Sequence, residues 1–168
     1  MSFDIHTASV PAFLNMLGAM SKILDKAADH AAAKKIEPLT ITSWRLAPDM
    51  LTMGRQVQIM CDFAKGACAR LAGQEVPKWA DDEKTIEELK ARIAKTVDYV
   101  KGFTPQHFEG APSREIVLTV AGNEMRFTGA VYLVHFVLPN FYFHASMAYA
   151  NLRGLGVELG KMDFMGRS

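Results

Sequence analysis

A long uncharged segment dominates the C-terminal part of this chain. From Phe127 to Leu152 it runs for 26 residues without an Asp, Glu, Lys or Arg. A segment this apolar and aromatic is expected to be buried, and its polar side chains are then expected to need partners, because an unpaired buried polar group costs free energy. A functional site is therefore predicted around the polar residues of this segment, which are His135, Asn140 and His144.

A membrane span is the first alternative for this segment, because about 20 apolar residues suffice to cross a bilayer. However, the segment contains two histidines, two asparagines and Pro139, and Arg126 and Arg153 flank it symmetrically. Polar and ionisable residues are costly inside a membrane, and the charge at the two ends of a span is usually unequal. These features favour a buried helix in a protein without a membrane partner.

Length and composition indicate a single domain over residues 1–168. The net charge of +1 lacks the basic excess of nucleic-acid-binding proteins, so no nucleic-acid partner is predicted. The N-terminus has no basic region followed by an apolar core, so no signal peptide is predicted and the protein is expected in the cytoplasm. There, Cys61 and Cys68 are expected to be reduced, buried thiols.

Apolar periodicity predicts four helices and a β-hairpin, with the second helix covered on two sides. The third helix is expected to begin at a capping box formed by Thr85 and Glu88, and to carry Arg92 on its outer face. The dipeptide Gly122-Asn123 is the predicted turn of the hairpin. The predicted helices cover about residues 9–33, 49–71, 85 to just before Pro105, and 128 to 154–156, and the hairpin covers 115–127.

Helical geometry relates the polar residues of the uncharged segment to one another. Asn140 and His144 are four residues apart and share a face, whereas His135 lies on the opposite side of a regular helix from His144. Pro139 removes the hydrogen bond to the carbonyl of His135 and disturbs the helix there. A π-bulge at this point would bring His135 to within about 80° of His144. The alternative is a core His135 bonded to a carbonyl.

The second helix offers polar partners for His144. Gln56 and Gln58 flank its apolar stripe, and Asp62 lies one turn after Gln58. Either glutamine is a candidate to point into a pocket beside His144, and a solvated helix edge is the alternative for both. Hydrolase, zinc-protease and phosphate-loop signatures are all missing from the sequence.

Several motifs spread over nearly the whole chain resemble one protein family. They are SVPAFLNML, RLAPDM followed by RQVQIMCDFAKGACARLAG, HFVLPNFYFHASMAYANLR and a closing GK-x-DF-x-G. These motifs resemble an uncharacterised bacterial and fungal family, a domain of unknown function within the DinB/YfiT-like superfamily of metalloenzymes. The resemblance implies an all-α fold, a DinB-like four-helix bundle that is often dimeric and has a pocket at one end; the hairpin pattern places a short β-hairpin before the last helix.

The resemblance also implies where a metal site would lie. Members of the superfamily bind a divalent metal through three histidines, one from the second helix and two, four residues apart, from the last. Carried over by position, these ligands fall near Gln58 and on Asn140 and His144, so only His144 is a histidine here. Neutral amides are poor ligands for zinc and similar ions, so the metal site is predicted to be degenerate.

Two functions are therefore predicted. The first is a cytoplasmic homodimer that binds a small polar ligand in a pocket between the second and last helices. The alternative is a metal-dependent enzyme of the thiol transferase or hydrolase type, with His144 as a ligand of Zn, Ni or Mn. A third candidate is an interaction module that works through the aromatic last helix. The predicted ligand-binding residues are Gln58, Asp62, His135, Asn140 and His144.

Overall fold

The computed structural model describes residues 4–120 and 122–167, and it is mostly helical. It confirms the predicted four-helix bundle with a two-stranded hairpin before the last helix. In chain order the elements are α1 Ile5–Lys34, α2 Pro38–Ser43, α3 Met53–Leu71, α4 Ile86–Lys101, the 3-10 turns Pro105–Phe108 and Ala111–Ser113, β1 Glu115–Val120, β2 Asn123–Thr128, α5 Gly129–Val131, a π-helical segment Tyr132–Val137, α6 Leu138–Gly154 and α7 Lys161–Phe164.

Capping side chains decide where the first two predicted helices begin. Helix α1 starts about four residues earlier than predicted, because the side chain of Asp4 accepts a hydrogen bond from the Thr7 amide. Helix α3 starts about four residues later, because Thr52 caps the Arg55 amide. The third predicted helix begins as expected, since Thr85 and the first turn of α4 form the predicted capping box.

The core lies between α3 and the helices around it. Helix α3 packs against both α4 and α6, which confirms that it is covered on two sides, and α1 packs against α4 and α6. Phe13 of α1 and Phe141 of α6 are both fully buried and meet edge to face with ring centroids 4.9 Å apart. Cys61 and Cys68 are free thiols inside this core, and burial raises the pKa of each to about 12.

The hairpin turns one residue earlier than predicted. Val120 pairs with Asn123 in the antiparallel register, so residues 121 and 122 connect the strands, and Ala121 lies outside the described residues. Gly122 has a φ of 83°, a left-handed conformation that glycine adopts without strain.

The uncharged segment forms one continuous helical run of three parts. Helix α5 leads into the π-helical segment, which continues into α6. The amide of Leu138 donates to the carbonyl of Leu133, five residues back, as a π-helix requires. The predicted π-bulge next to Pro139 is therefore confirmed. Within the described ranges, no helix is long and apolar enough to span a membrane.

Candidate functional site

His144 of α6 and Gln56 of α3 form the central contact of the candidate site. The His144 Nδ1 atom lies 2.7 Å from Gln56 Oε1, and both residues are buried. A buried glutamine is uncommon without a partner, and this contact joins two helices that are far apart in sequence. The structure therefore selects Gln56, rather than Gln58, as the partner of His144.

The orientation of the Gln56 amide determines which nitrogen of His144 carries the proton. Gln56 Nε2 donates to the carbonyl of Leu51 at 3.4 Å, so its Oε1 faces the imidazole and must accept. His144 therefore donates from Nδ1, and its Nε2 is left with a lone pair. No residue of the described chain bonds to Nε2, and the His144 residue as a whole is 8% exposed.

Aromatic rings surround the His144 imidazole. Phe63 stacks on it with centroids 5.8 Å apart, and Phe143 meets it edge to face at 5.3 Å. Burial, reinforced by the positive charge of Arg55, lowers the pKa of His144 below its ordinary value of 6.5. The imidazole is therefore neutral at pH 7 and can accept a hydrogen bond or a proton through Nε2.

Asn140 lies one turn before His144, but its amide bonds within its own helical run. Asn140 Nδ2 donates to the carbonyl of Phe136 at 2.7 Å, at the junction between the π-helical segment and α6. This bond ties the Asn140 side chain to the backbone of the preceding turn. Its Oδ1 makes no hydrogen bond to the part of the chain that the structure describes.

Gln58 and Asp62 belong to a charged cluster on another side of α3. Gln58 accepts from Arg55 at 3.0 Å and donates to Glu83 at 2.8 Å. Asp62 pairs with Arg92 at 2.9 Å and with Lys65 at 2.8 Å. We call this set the Arg92 cluster, and its members are Arg55, Gln58, Asp62, Lys65, Asp81, Glu83 and Arg92. The structure does not bring Gln58 or Asp62 into contact with His144.

The predicted outward position of Arg92 is wrong. The Arg92 side chain is 1% exposed and pairs with Asp62, Asp81 and Glu83 at 2.9, 2.8 and 3.0 Å. Burial alone would lower the pKa of the guanidinium, but these carboxylates outweigh burial and raise it. The acidic residues 81–83, just before α4, are the signal in the sequence that could have indicated a buried cation.

His135 lies in the π-helical segment but stays at the surface. Its side chain is exposed and makes no hydrogen bond to any residue the structure describes. The π-helix is present, yet it does not bury His135 beside His144. The core reading of His135 is therefore also wrong, since an exposed imidazole finds its partners in water.

The residues around His144 do not fit a divalent metal. Three protein ligands with imidazole, thiolate or carboxylate groups are the usual minimum for zinc, and no such group of three occurs within residues 4–120 and 122–167. The Gln56 oxygen already accepts from His144, and the Asn140 amide nitrogen is spent on a carbonyl. Only one imidazole nitrogen therefore remains as a candidate ligand.

Comparison with known proteins agrees with the fold. A family model described as a domain of unknown function, DUF1993, matches residues 5–165. Among curated proteins, none matches this sequence. The crystal structure of a DinB family member protein from Shewanella denitrificans shares 38% identity, covers 96% of this chain and 91% of its own, and superposes with a TM-score of 0.90. The chain therefore belongs to the DUF1993 family, a domain of unknown function within the DinB-like superfamily.

Proposed function

We propose that this protein binds a small polar ligand at His144, and that the ligand donates a hydrogen bond to Nε2. One observation carries the proposal: the Gln56 contact holds the imidazole in a single tautomer whose second nitrogen has no partner in the described chain and lies among aromatic rings. Apolar walls with a few placed polar groups are typical of small-molecule sites. Of the predicted ligand-binding residues, Asn140 is the nearest second acceptor along the helix, Gln58 and Asp62 would act only through the Arg92 cluster, and the exposed His135 would take no part.

Binding at His144 is expected to require the neutral imidazole. In a thermal-shift panel of thiols, hydroquinones and small alcohols at pH 8, all of which can donate a hydrogen bond, we expect a stabilising compound whose effect disappears in His144→Phe, which keeps the ring stack but removes Nε2. Because the pKa of His144 is lowered, protonation occurs only as pH falls below 6.5, and binding should weaken there. His135→Gln removes an exposed imidazole from the same helical run and should leave binding unchanged.

An NMR measurement tests the tautomer independently of any ligand. In long-range proton–nitrogen spectra of protein with labelled histidine, the His144 ring at pH 8 should carry its proton on Nδ1. A proton on Nε2 would contradict the proposal, because that second nitrogen would then be a donor. The proposal would also be contradicted if every compound that stabilises the parent protein stabilised His144→Phe as strongly.

Metal analysis of protein purified without an affinity tag distinguishes the metal-dependent alternative from the proposed metal-free ligand binding. Under the proposal, Zn, Ni and Mn are far below one ion per chain, and added divalent ions leave the thermal midpoint unchanged. A stoichiometric metal that is lost in His144→Ala would establish the enzyme reading instead. The donor set around His144 supports the first outcome.

We also infer that the protein is a homodimer that works in the cytoplasm, where its two thiols stay reduced. The support for the dimer is an exposed face of the last helical run without any charged residue. Val134 and Phe143 of this run are 51% and 52% exposed, and Val131 and Tyr142 are also exposed. Exposed apolar surface of this kind is typical of subunit interfaces.

Charge placed on this face is expected to separate the subunits. In light scattering after gel filtration, we expect a dimer for the parent protein and a monomer of unchanged helical content for Val134→Glu. Leu39→Glu on α2 is the matched control, because Leu39 is 60% exposed on a different surface. A monomeric parent protein, or a dimer that tolerates Val134→Glu, would rule this interface out.

A further inference from the structure

A concave region of the surface is lined in part by Phe63, the residue that also stacks on His144. This groove has a volume of about 770 Å³ and runs between α3, residues 76–79, strand β1 and the π-helical segment. Its size falls within the range of small-molecule sites, which is roughly 300–1,000 Å³. Aromatic side chains form much of its wall, namely Phe63, Trp79, Tyr132 and Phe136.

The polar residues of the groove carry an excess of positive charge. Lys65, Arg70 and Lys78 line it, and Asp62 is its one carboxylate. Asp62 is already paired with Arg92 and Lys65, and the Lys65 ammonium also lies over the Trp79 ring at 4.5 Å. The positive charge of Lys65 is therefore paired within the protein, and Arg70 and Lys78 are the groove cations that remain available to a ligand.

Arg70 is positioned in the groove but lacks an anionic partner. Its Nη1 donates to the Tyr132 hydroxyl at 3.2 Å, and no carboxylate in the described chain pairs with it. Gly66, one turn earlier, makes room for the guanidinium, because a Cβ there would lie 2.5 Å from Arg70 Nη1. A half-buried arginine held by a tyrosine against an apolar wall is suited to bind a carboxylate or sulfonate through its remaining donors.

We propose that this groove binds an organic anion with a flat apolar body, whose acidic group pairs with Arg70 while its rings lie against the half-buried Phe63 and Phe136. The site is separate from His144 and does not depend on the function proposed there. Lys78 is exposed at the edge of the groove and adds a longer-range attraction, which salt screens. The occupant is a free small molecule, because an open groove of this volume matches one ring system with one acidic group.

Titration with 1-naphthoate tests the proposal. Trp44 and Trp79 are the two tryptophans, so Trp44→Phe leaves one indole N–H signal, which reports on the groove. We expect saturable one-to-one binding that shifts the Trp79 signal. Arg70→Met should weaken the affinity by about tenfold or more, since hydrogen bonds to charged groups contribute that much. Lys101→Met, which removes an exposed cation outside the groove, should leave affinity unchanged within about twofold.

The uncharged analogue 1-naphthalenemethanol gives the same test without altering the protein. It keeps the ring system but lacks the acidic group, so it should bind at least about tenfold more weakly than 1-naphthoate. Equal affinity for the two compounds would overturn the proposal, even if Arg70→Met failed to fold. Unchanged 1-naphthoate affinity in a folded Arg70→Met, or the absence of any Trp79 shift, would overturn it as well. His144→Phe should bind 1-naphthoate normally, which separates this site from the first.

Discussion

Gly129→Ala is expected to lower the free energy of unfolding by about 3 kcal/mol or more. Gly129 begins the last helical run, where its backbone is packed directly against the segment before the hairpin. A Cβ at this position would overlap the carbonyl oxygen of Ala111 and lie 3.1 Å from Leu71 Cδ2. Because the nearest obstacle is backbone rather than the end of a side chain, either the helix or the 3-10 turn at Ala111 must move. Urea denaturation followed by circular dichroism measures the loss.

Gly18→Ala is the matched control for this prediction. Gly18 lies in the interior of α1, and a Cβ there would meet nothing within 4 Å. The same substitution should therefore stabilise the protein by about 0.5–1 kcal/mol, through the higher helix propensity of alanine. Equal effects of the two substitutions would show that close packing at Gly129 does not limit stability.

Arg92→Met is expected to destabilise the protein by about 3 kcal/mol, because removing one partner of a buried ion pair leaves a poorly exposed carboxylate without its cation. The fully buried guanidinium holds Asp62 of α3 together with Asp81 and Glu83, which precede α4. Without it, Asp62 and Asp81 keep Lys65 and Arg55, whereas Glu83, the least exposed of the three carboxylates at 14%, loses its cation. Methionine nearly preserves the length of the side chain, so the loss reports mainly on charge and hydrogen bonding rather than on a cavity.

Arg126→Met is the matched control for Arg92→Met, because it removes an exposed arginine instead of a buried one. Arg126 also pairs with two carboxylates, those of Glu115 and Glu124, but its side chain is 59% exposed on the hairpin. Exposed ion pairs contribute about 0–1 kcal/mol, so this variant should unfold almost as the parent protein does. Comparable losses in the two variants would mean that the Arg92 cluster contributes through its charges alone and not through burial.

The sequence predicted most of the helical architecture and part of the site. Periodicity and capping signals are local, so the capping box at Thr85 and the π-helix before Pro139 could be predicted without knowledge of the fold. His144 could be identified as a buried polar residue in the same way. The sequence did not distinguish Gln56 from Gln58 as the partner of His144. Both flank one apolar stripe, and the period of a helix does not say which flank faces a neighbouring helix.

Arg92 and His135 show that the burial of a single side chain is hard to predict from sequence. Arg92 was expected to be exposed and is buried, whereas His135 is exposed although it lies in an uncharged segment. An arginine beside an apolar stripe is usually outside, but the acidic residues from the preceding connector fold over α4 and enclose this one. A histidine in an uncharged segment is usually inside, but the face that carries His135 is left uncovered by the rest of the chain. In both cases burial depends on which other segments of the chain pack against that part of the helix, and the sequence of the helix itself does not contain this information.

The uncharged segment that first draws attention therefore has two faces. The sequence by itself determined that residues 129–154 form a helical run with an irregularity before Pro139, because both properties follow from local hydrogen bonding. Only the tertiary structure decided that His144 lies inward against Gln56 and Phe63, while Val134, His135 and Phe143 lie outward. The physical reason is that burial depends on which helices pack against each face, and an uncharged sequence is compatible with either side.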